Sequence, residues 1–187
     1  MVTGPSGAGK GTLIRELLAR VPDLEVTVSA TTRERRPGEH DGREYWFLSP
    51  EEFRARVAAD DFVEHVEYVS GHRYGTLRQE LARVVDDGCV PLLELETEGA
   101  LRVKHDDPGA VTIFISARVE ELERRLRERA TESAGEIGDR IRLAREQLAQ
   151  ADDFDYVVEN DELEHAVETL TQLVRGLLAP AATMPRR

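Results

Sequence analysis

Two stretches of this chain carry residue types and spacings suited to handling phosphate. The first is Gly4-Pro5-Ser6-Gly7-Ala8-Gly9-Lys10-Gly11-Thr12, a glycine-rich run that follows a short apolar start and opens an amphipathic helical pattern. Gly4, Gly7 and Gly9 let the backbone curl so that several N–H groups point inward, and the positive end of the following helix adds to them. Lys10 supplies a point charge within reach of β and γ phosphates. In the commonest form of this motif a hydroxyl follows the lysine directly, whereas here Gly11 intervenes and Thr12 comes next. Lysine, spacing and flanking elements together point to a bound ATP or GTP rather than to a glycine-rich turn without a ligand.

The second stretch runs from Ser29 to Glu44; it is poor in apolar residues and reads as a loop built to hold something. Within it Arg33 and Arg36 can make paired, charge-assisted bonds to a phosphate dianion, the competing reading being a solvated, arginine-rich surface. The formal net charge of −12 sharpens the point. An acidic protein must meet an anionic ligand with a local cluster of cations, and the same charge argues against a general nucleic-acid or membrane-surface binder.

The 187 residues allow one domain with a full core, and 40% hydrophobic with 33% charged residues lies in the globular range. Cys89 is the single cysteine, so no internal disulfide is possible, and it reads as a small apolar side chain beside a strand. No apolar run approaches membrane-spanning length, and the N-terminus shows no signal-type core, so a cytoplasmic location is expected. Only Met1 to Thr3 precede the phosphate loop, which predicts either a short central strand or a start lying further upstream.

Short apolar runs alternating with helical patterns predict an α/β fold with a mainly parallel sheet. Leu13, Ile14, Leu17, Leu18 and Val21 share a helix face, and Val26 and Val28 read as a short strand. Ser49, Pro50 and Glu52 mark the start of a helix through Phe53 and Val57. Thr76 and Gln79 repeat that capping pattern ahead of Leu77, Leu81, Val84 and Val85, and Gly88 ends the helix. Strands are expected at Val90–Glu96, Ala110–Ser116 and Tyr156–Val158. A helix opens on Glu120 and Glu121, another carries Ile137, Ile141, Ala144 and Leu148, and a last one runs through Leu163, Val167, Leu170, Val174 and Leu177. The tail over residues 179–187 has little to bury.

The stretch SATTRERRPGEHDGREY, Ser29 to Tyr45, resembles the acceptor-binding segment of the guanylate kinase family, and the likeness extends from Gly4 to about Leu178. The GKGT variant of the phosphate loop is likewise common in nucleoside monophosphate kinases. The resemblance implies a three-layer P-loop NTPase fold with a core over 1–28 and 76–178, a small GMP-binding insert over about 29–75 and a mobile lid over about 126–140. It implies transfer of phosphate from ATP to GMP or dGMP, with magnesium held through phosphates and water and no direct protein ligand assigned. Monomer and homo-oligomer are both compatible with it.

Carried onto this sequence, the resemblance places Arg33, Arg36 and Tyr45 on the acceptor phosphate, with Glu64, Tyr74 and Thr76 facing the base and phosphate, and Ser29 donating to guanine O6. Guanine offers N1–H and an amino group as adjacent donors, which a carboxylate such as Glu64 can accept, and adenine offers no such pair. The segment between Glu64 and Tyr74 is one residue longer than in some relatives, and Glu96 stands where the family usually has aspartate. Arg125, Arg129 and Arg140 match the family's arginines over the ATP phosphates, and Arg124 and Arg127 read as surface salt-bridge residues. Asn160 matches an adenine-side contact and equally suits a helix cap. Two rivals remain: a kinase of another small phosphate ester, and a non-catalytic guanylate-kinase-like interaction module.

Overall fold

A computed structural model describes residues 1–68, 71–128 and 134–179, with backbone alone at 134–136. In chain order the elements are β1 (Val2–Thr3), α1 (Lys10–Arg20), β2 (Leu24–Val26), β3 (Ala30–Thr31), β4 (Trp46–Phe47), α2 (Pro50–Ala58), β5 (Phe62–Glu67), β6 (Arg73–Leu77), α3 (Arg78–Asp86), β7 (Val90–Leu92), α4 (Thr97–Asp106), β8 (Ile113–Ser116), α5 (Val119–Glu128), α6 (Ala134–Leu148), β9 (Tyr156–Glu159) and α7 (Leu163–Leu178).

The core sheet is parallel. β2 pairs with β7, and β1 pairs with β8, which pairs with β9. The chain beyond β7 then runs beside β1: the Val2 N–H donates to the Leu93 carbonyl at 2.8 Å and the Leu95 N–H to the Val2 carbonyl at 3.1 Å. The two halves thereby join in the order β2-β7-β1-β8-β9. β1 has only two residues, yet it is paired on both sides and fully buried.

Side-chain alternation along the strands builds two cores, one on each face. Ile113 and Ile115 of β8 point toward Leu13, Leu17 and Leu170 of α1 and α7, while Phe114 between them packs with Leu93, Leu95, Val103 and Phe154 on the α4 side. Helices on both faces of a parallel sheet make the three layers expected. No helix among the described residues is long and apolar enough to cross a membrane.

Between β2 and α3 the chain builds a second, four-stranded sheet in the order β4-β3-β6-β5, with β6 antiparallel to both of its neighbours. Phe53 of α2 stacks on Phe62 of β5 with ring centroids 4.5 Å apart, closing a small separate core with Ala30 and Leu77. α2 begins as read from sequence: the Glu52 N–H donates to Ser49 Oγ and the Ser49 N–H donates to the Glu52 carboxylate.

Several sequence expectations need correction. Val28 lies outside β2, and the supposed loop Ser29–Glu44 begins with a buried strand, Ala30–Thr31, because two residues suffice when a neighbouring strand pairs on each side. Thr76 is a buried residue of β6 rather than a cap, and α3 starts after Leu77 with no side-chain cap. Asn160 is not the cap of α7 either, since Glu162 holds that position. α4 and the strands β3 to β6 had no clear periodic signal. Arg129 and the tail from Pro180 onward lie outside the described residues, as do residues 129–133 of the expected lid.

One polar clamp aligns β8 with β9. Asp155 accepts from the N–H and O–H of Thr112 at 2.8 and 2.6 Å, and its other oxygen lies 2.8 Å from Lys104 Nζ. The bond from Lys104, with those from Thr112, holds its carboxyl down at about 2, below the ordinary 3.8. A depressed carboxyl stabilises the fold above its unfolded value and loses that contribution as pH falls toward its folded value. Asp155→Ala is therefore expected to melt below wild type near about pH 7, with the gap closing as pH falls below about 4; thermal melts across that range check it.

Candidate functional site

The phosphate loop leaves β1 and enters α1 through three glycines with positive φ, Gly4 (139°), Gly7 (90°) and Gly9 (86°). At Gly4 any side chain is excluded, because a Cβ would sit 2.2 Å from the Ile115 carbonyl oxygen; at Gly9 it would sit 2.5 Å from Asn160 Nδ2. The loop is held from outside by side chains that leave its inner face open. Asn160 Nδ2 donates to the Ala8 carbonyl at 2.7 Å, Arg125 Nη1 to the Gly7 carbonyl at 3.3 Å, and Arg140 Nη2 to Ser6 Oγ at 2.8 Å. Lys10 folds back over the loop, donating to the Gly4 and Pro5 carbonyls at 2.6 and 3.3 Å.

The open side of the loop faces a cleft of roughly 350 Å³ lined by Pro5, Ser6, Gly7, Gly9, Lys10, Gly11, Thr12, Arg15 and Glu94. Gly4 and Ala8, the remaining members of the predicted loop, are buried, and Ala8 supports the loop from within the core. Arg125 does not line the cleft; it ties the loop to the Asn160 carbonyl at 3.1 Å and to Glu121 at 2.7 Å. Asn160 is 3% exposed, and its Oδ1 is a buried acceptor without a partner among the described residues.

A second cleft, of roughly 460 Å³, opens between the core sheet and the insert. Of the residues expected to bind an acceptor, Ser29, Tyr45, Glu64, Tyr74 and Glu96 line it together, although they come from the end of β2, the insert and the end of β7. Glu64 is 6% exposed, and its Oε1 accepts from both the N–H and the O–H of Thr76 at 3.0 and 3.1 Å. Thr76 thus stands behind Glu64 and orients it rather than lining the cleft. Tyr45, Tyr74 and Tyr68 form an edge-to-face row with centroids 5.9 and 4.9 Å apart.

Arg33 and Arg36 are placed differently from that group. Arg33 lies against Tyr45, 5.4 Å from its ring centroid, and forms a two-pronged pair with Glu39 at 2.8 and 3.0 Å. The same carboxylate accepts from the Arg36 backbone N–H at 2.8 Å, so one side chain organises both arginine positions. The Arg36 side chain is exposed.

Two important residues escaped the sequence reading. Glu39 lies six positions from Arg33 with nothing in the pattern to mark it. Glu94 was legible in principle, because in LLELE it shares a strand face with Glu96 while Leu93 and Leu95 are buried opposite. Glu94 and Lys10 line both clefts, so the two cavities meet at this pair. Glu94 keeps an exposed surface toward the clefts, but the protein packed around it strips enough water to push its carboxyl up; Lys10 opposes the shift and Glu96 adds to it.

A profile of the guanylate kinase family matches residues 1–177 of this chain. The chain belongs to the guanylate kinase family. Curated guanylate kinases from Rubrobacter xylanophilus and Salinibacter ruber are each 46% identical to it, over 96% of this chain and 94% and 96% of their own lengths. The crystal structure of guanylate kinase from Anaplasma phagocytophilum superposes with a TM-score of 0.75 at 28% identity, covering 97% of this chain and 87% of that one. The family assignment drawn from Ser29–Tyr45 thus stands.

In the second cleft, burial pushes the Glu64 carboxyl above its ordinary value, against the bonds from Thr76. A raised carboxyl means that the folded state binds the proton more tightly than the unfolded chain. The ionised form therefore opposes folding, and the opposition fades as pH falls through the folded value. Glu64→Gln, whose amide oxygen can still accept from Thr76, is expected to melt at or above wild type near about pH 8, with the advantage shrinking in acid. Melting below wild type throughout a pH series would show that the buried charge does not oppose folding.

Proposed function

We propose that this chain transfers the γ-phosphoryl group of ATP to GMP, giving ADP and GDP, and that it does so in the cytoplasm. The observation that carries the proposal is the meeting of the two clefts at Lys10 and Glu94. A triphosphate in the glycine-rich cradle and a monophosphate in the second cleft would approach each other end to end across Lys10.

The chemistry asks little covalent help of the protein. The attacking oxygen already belongs to an ionised phosphate, so positioning and charge neutralisation supply the rate. Lys10 would leave the Gly4 and Pro5 carbonyls for the transferring phosphate. Arg140, already at the loop, would add charge from the donor side, and Arg125 would hold the loop in shape. Arg129 is proposed beside them from the family resemblance alone. On the acceptor side Tyr45, Tyr74, Arg33 and Arg36 would grip the GMP phosphate, with Glu39 holding the arginines. Glu64 and Glu96 would accept from the guanine N1–H and amino group, with Ser29 near O6. Asn160 Oδ1, without a partner among the described residues, would suit an exocyclic amino group such as that of adenine.

Magnesium fits this site. Thr12 and Glu94 present a hydroxyl and a carboxylate to the loop cleft, hard oxygen donors too few for an all-protein cage. An ion held there would keep water and phosphate oxygens as its remaining ligands, and when bound it neutralises charge on the phosphates. A kinase of another phosphate ester would not need Tyr45, Glu64 and Tyr74 in one cleft, and an interaction module would not need Lys10 in an intact cradle.

ADP release from the purified protein, supplied with ATP and with GMP, AMP, UMP or CMP in turn, tests the acceptor; strong turnover with GMP alone is expected. Lys10→Ala should lower kcat by about 10³-fold, since such clamps act on the transferring group. Turnover within a few-fold of wild type would remove Lys10 from the mechanism. Glu64→Gln should raise KM for GMP on the order of 10²-fold with KM for ATP almost unchanged; equal losses for both nucleotides would indicate damage to the fold.

A further inference from the structure

Both crossings between the core and the insert converge on one carboxylate. Glu80 sits in the first turn of α3, just after the chain returns from β6, and is 2% exposed. Its Oε2 accepts from the Val28 N–H at 3.1 Å, where the chain leaves β2 for the insert. Its Oε1 accepts from the indole N–H of Trp46, on β4 inside the insert, at 3.1 Å. Arg83, one turn later, donates to both oxygens at 3.1 to 3.4 Å and reaches on to Glu25 of β2 at 2.6 Å and Asp87 at 3.2 Å.

A further bond closes the circuit. The Trp46 backbone N–H donates to the Ser29 carbonyl at 2.9 Å, so Val28, Ser29, Trp46 and Glu80 form a ring of bonds spanning the hinge. The residues next to its two anchor points, Ser29 beside Val28 and Tyr45 beside Trp46, both line the acceptor cleft. Burial pushes the Glu80 carboxyl up, but the donors Arg83, Val28 and Trp46 outweigh it and hold the group below the ordinary carboxylate range. A buried anion so fully satisfied is costly to disturb, because any lost bond strands a buried donor.

We propose that Glu80 is a positioning residue for the acceptor: by clasping Val28 and Trp46 across the hinge it sets the distance between Ser29 on the base side and Tyr45 on the phosphate side. It touches neither nucleotide. The proposal rests on the reading of this cleft as the GMP site. A displacement of about 1 Å at such a site is enough to cost much of the productive geometry. A carboxylate that merely stabilised the core would lower the melting temperature without discriminating between the two substrates.

Trp46 is the single tryptophan of the chain, so its emission reports on the clasp directly. The test compares wild type, Glu80→Gln and Trp46→Phe in steady-state kinetics with GMP and ATP varied separately, and compares iodide quenching of Trp46 in wild type and Glu80→Gln without nucleotide. In Glu80→Gln, KM for GMP should rise about tenfold while KM for ATP and kcat stay within about twofold. Trp46→Phe keeps an aromatic ring in the insert core but loses the indole N–H along with some ring volume, so KM for GMP should rise about threefold. Iodide should quench Trp46 more strongly in Glu80→Gln than in wild type. A folded Glu80→Gln with both KM values unchanged, or with both raised together, overturns the proposal. If that variant does not fold, an unchanged KM for GMP in Trp46→Phe overturns it instead. A wild type without turnover on GMP would refute the assigned activity, and the nucleotide-free quenching would still decide the clasp, equal quenching in the two proteins removing Glu80 from the hinge.

Discussion

The Lys10 ammonium stands where two anionic ligands would meet, in a protein whose own net charge is −12. Like-charged phosphates brought end to end repel strongly in a water-poor cleft, and the surrounding field of the protein adds to that repulsion. Backbone N–H groups, the start of α1 and a few well-held cations have to offset both. The surrounding structure serves this end. Gly4 and Gly9 allow the cradle its shape, and Asn160, Arg125 and Arg140 hold it without filling its inner face.

The acceptor side meets the opposite demand with the same economy of charge. Glu64, Glu94 and Glu96 crowd one cleft, and the carboxyls of Glu64 and Glu94 are pushed up chiefly by burial. The buried charge of Glu64 opposes folding, so its ionised form is retained at a cost to stability. Thr76 behind Glu64, and Glu39 between the two arginine positions, show how such charges are held: each fixes a charged side chain in one orientation without itself facing the ligand.

The hinge network around Glu80 belongs to the same pattern. A four-stranded insert with its own small core is joined to the main sheet by two short crossings, and it also rests on α4, where Arg102 donates to the His65 carbonyl of β5 at 2.9 Å. At the crossings themselves the buried Glu80 carboxylate accepts from Val28 and from Trp46, which gives the junction a defined geometry.

Local chemistry was legible in the residues themselves. The glycine spacing around Lys10, the arginines of the Ser29–Glu44 stretch and the capping box at Ser49 are short-range patterns, and each depends on neighbours within one turn or loop. The parallel sheet followed from alternating apolar runs for the same reason. What tertiary structure alone decided are the meetings of distant residues. Glu64 with Thr76 across a hairpin, Arg33 with Glu39 across a loop, Asn160 with Ala8, and Glu80 with Val28 and Trp46 have no local signature. The start of the Ser29–Glu44 stretch was misread as loop because β3 is two residues long and draws its stability from partners across the sheet. The sequence thus determined which groups could bind phosphate and guanine. Packing determined how they face one another, because side-chain orientation is set by contacts between segments that are far apart in the chain.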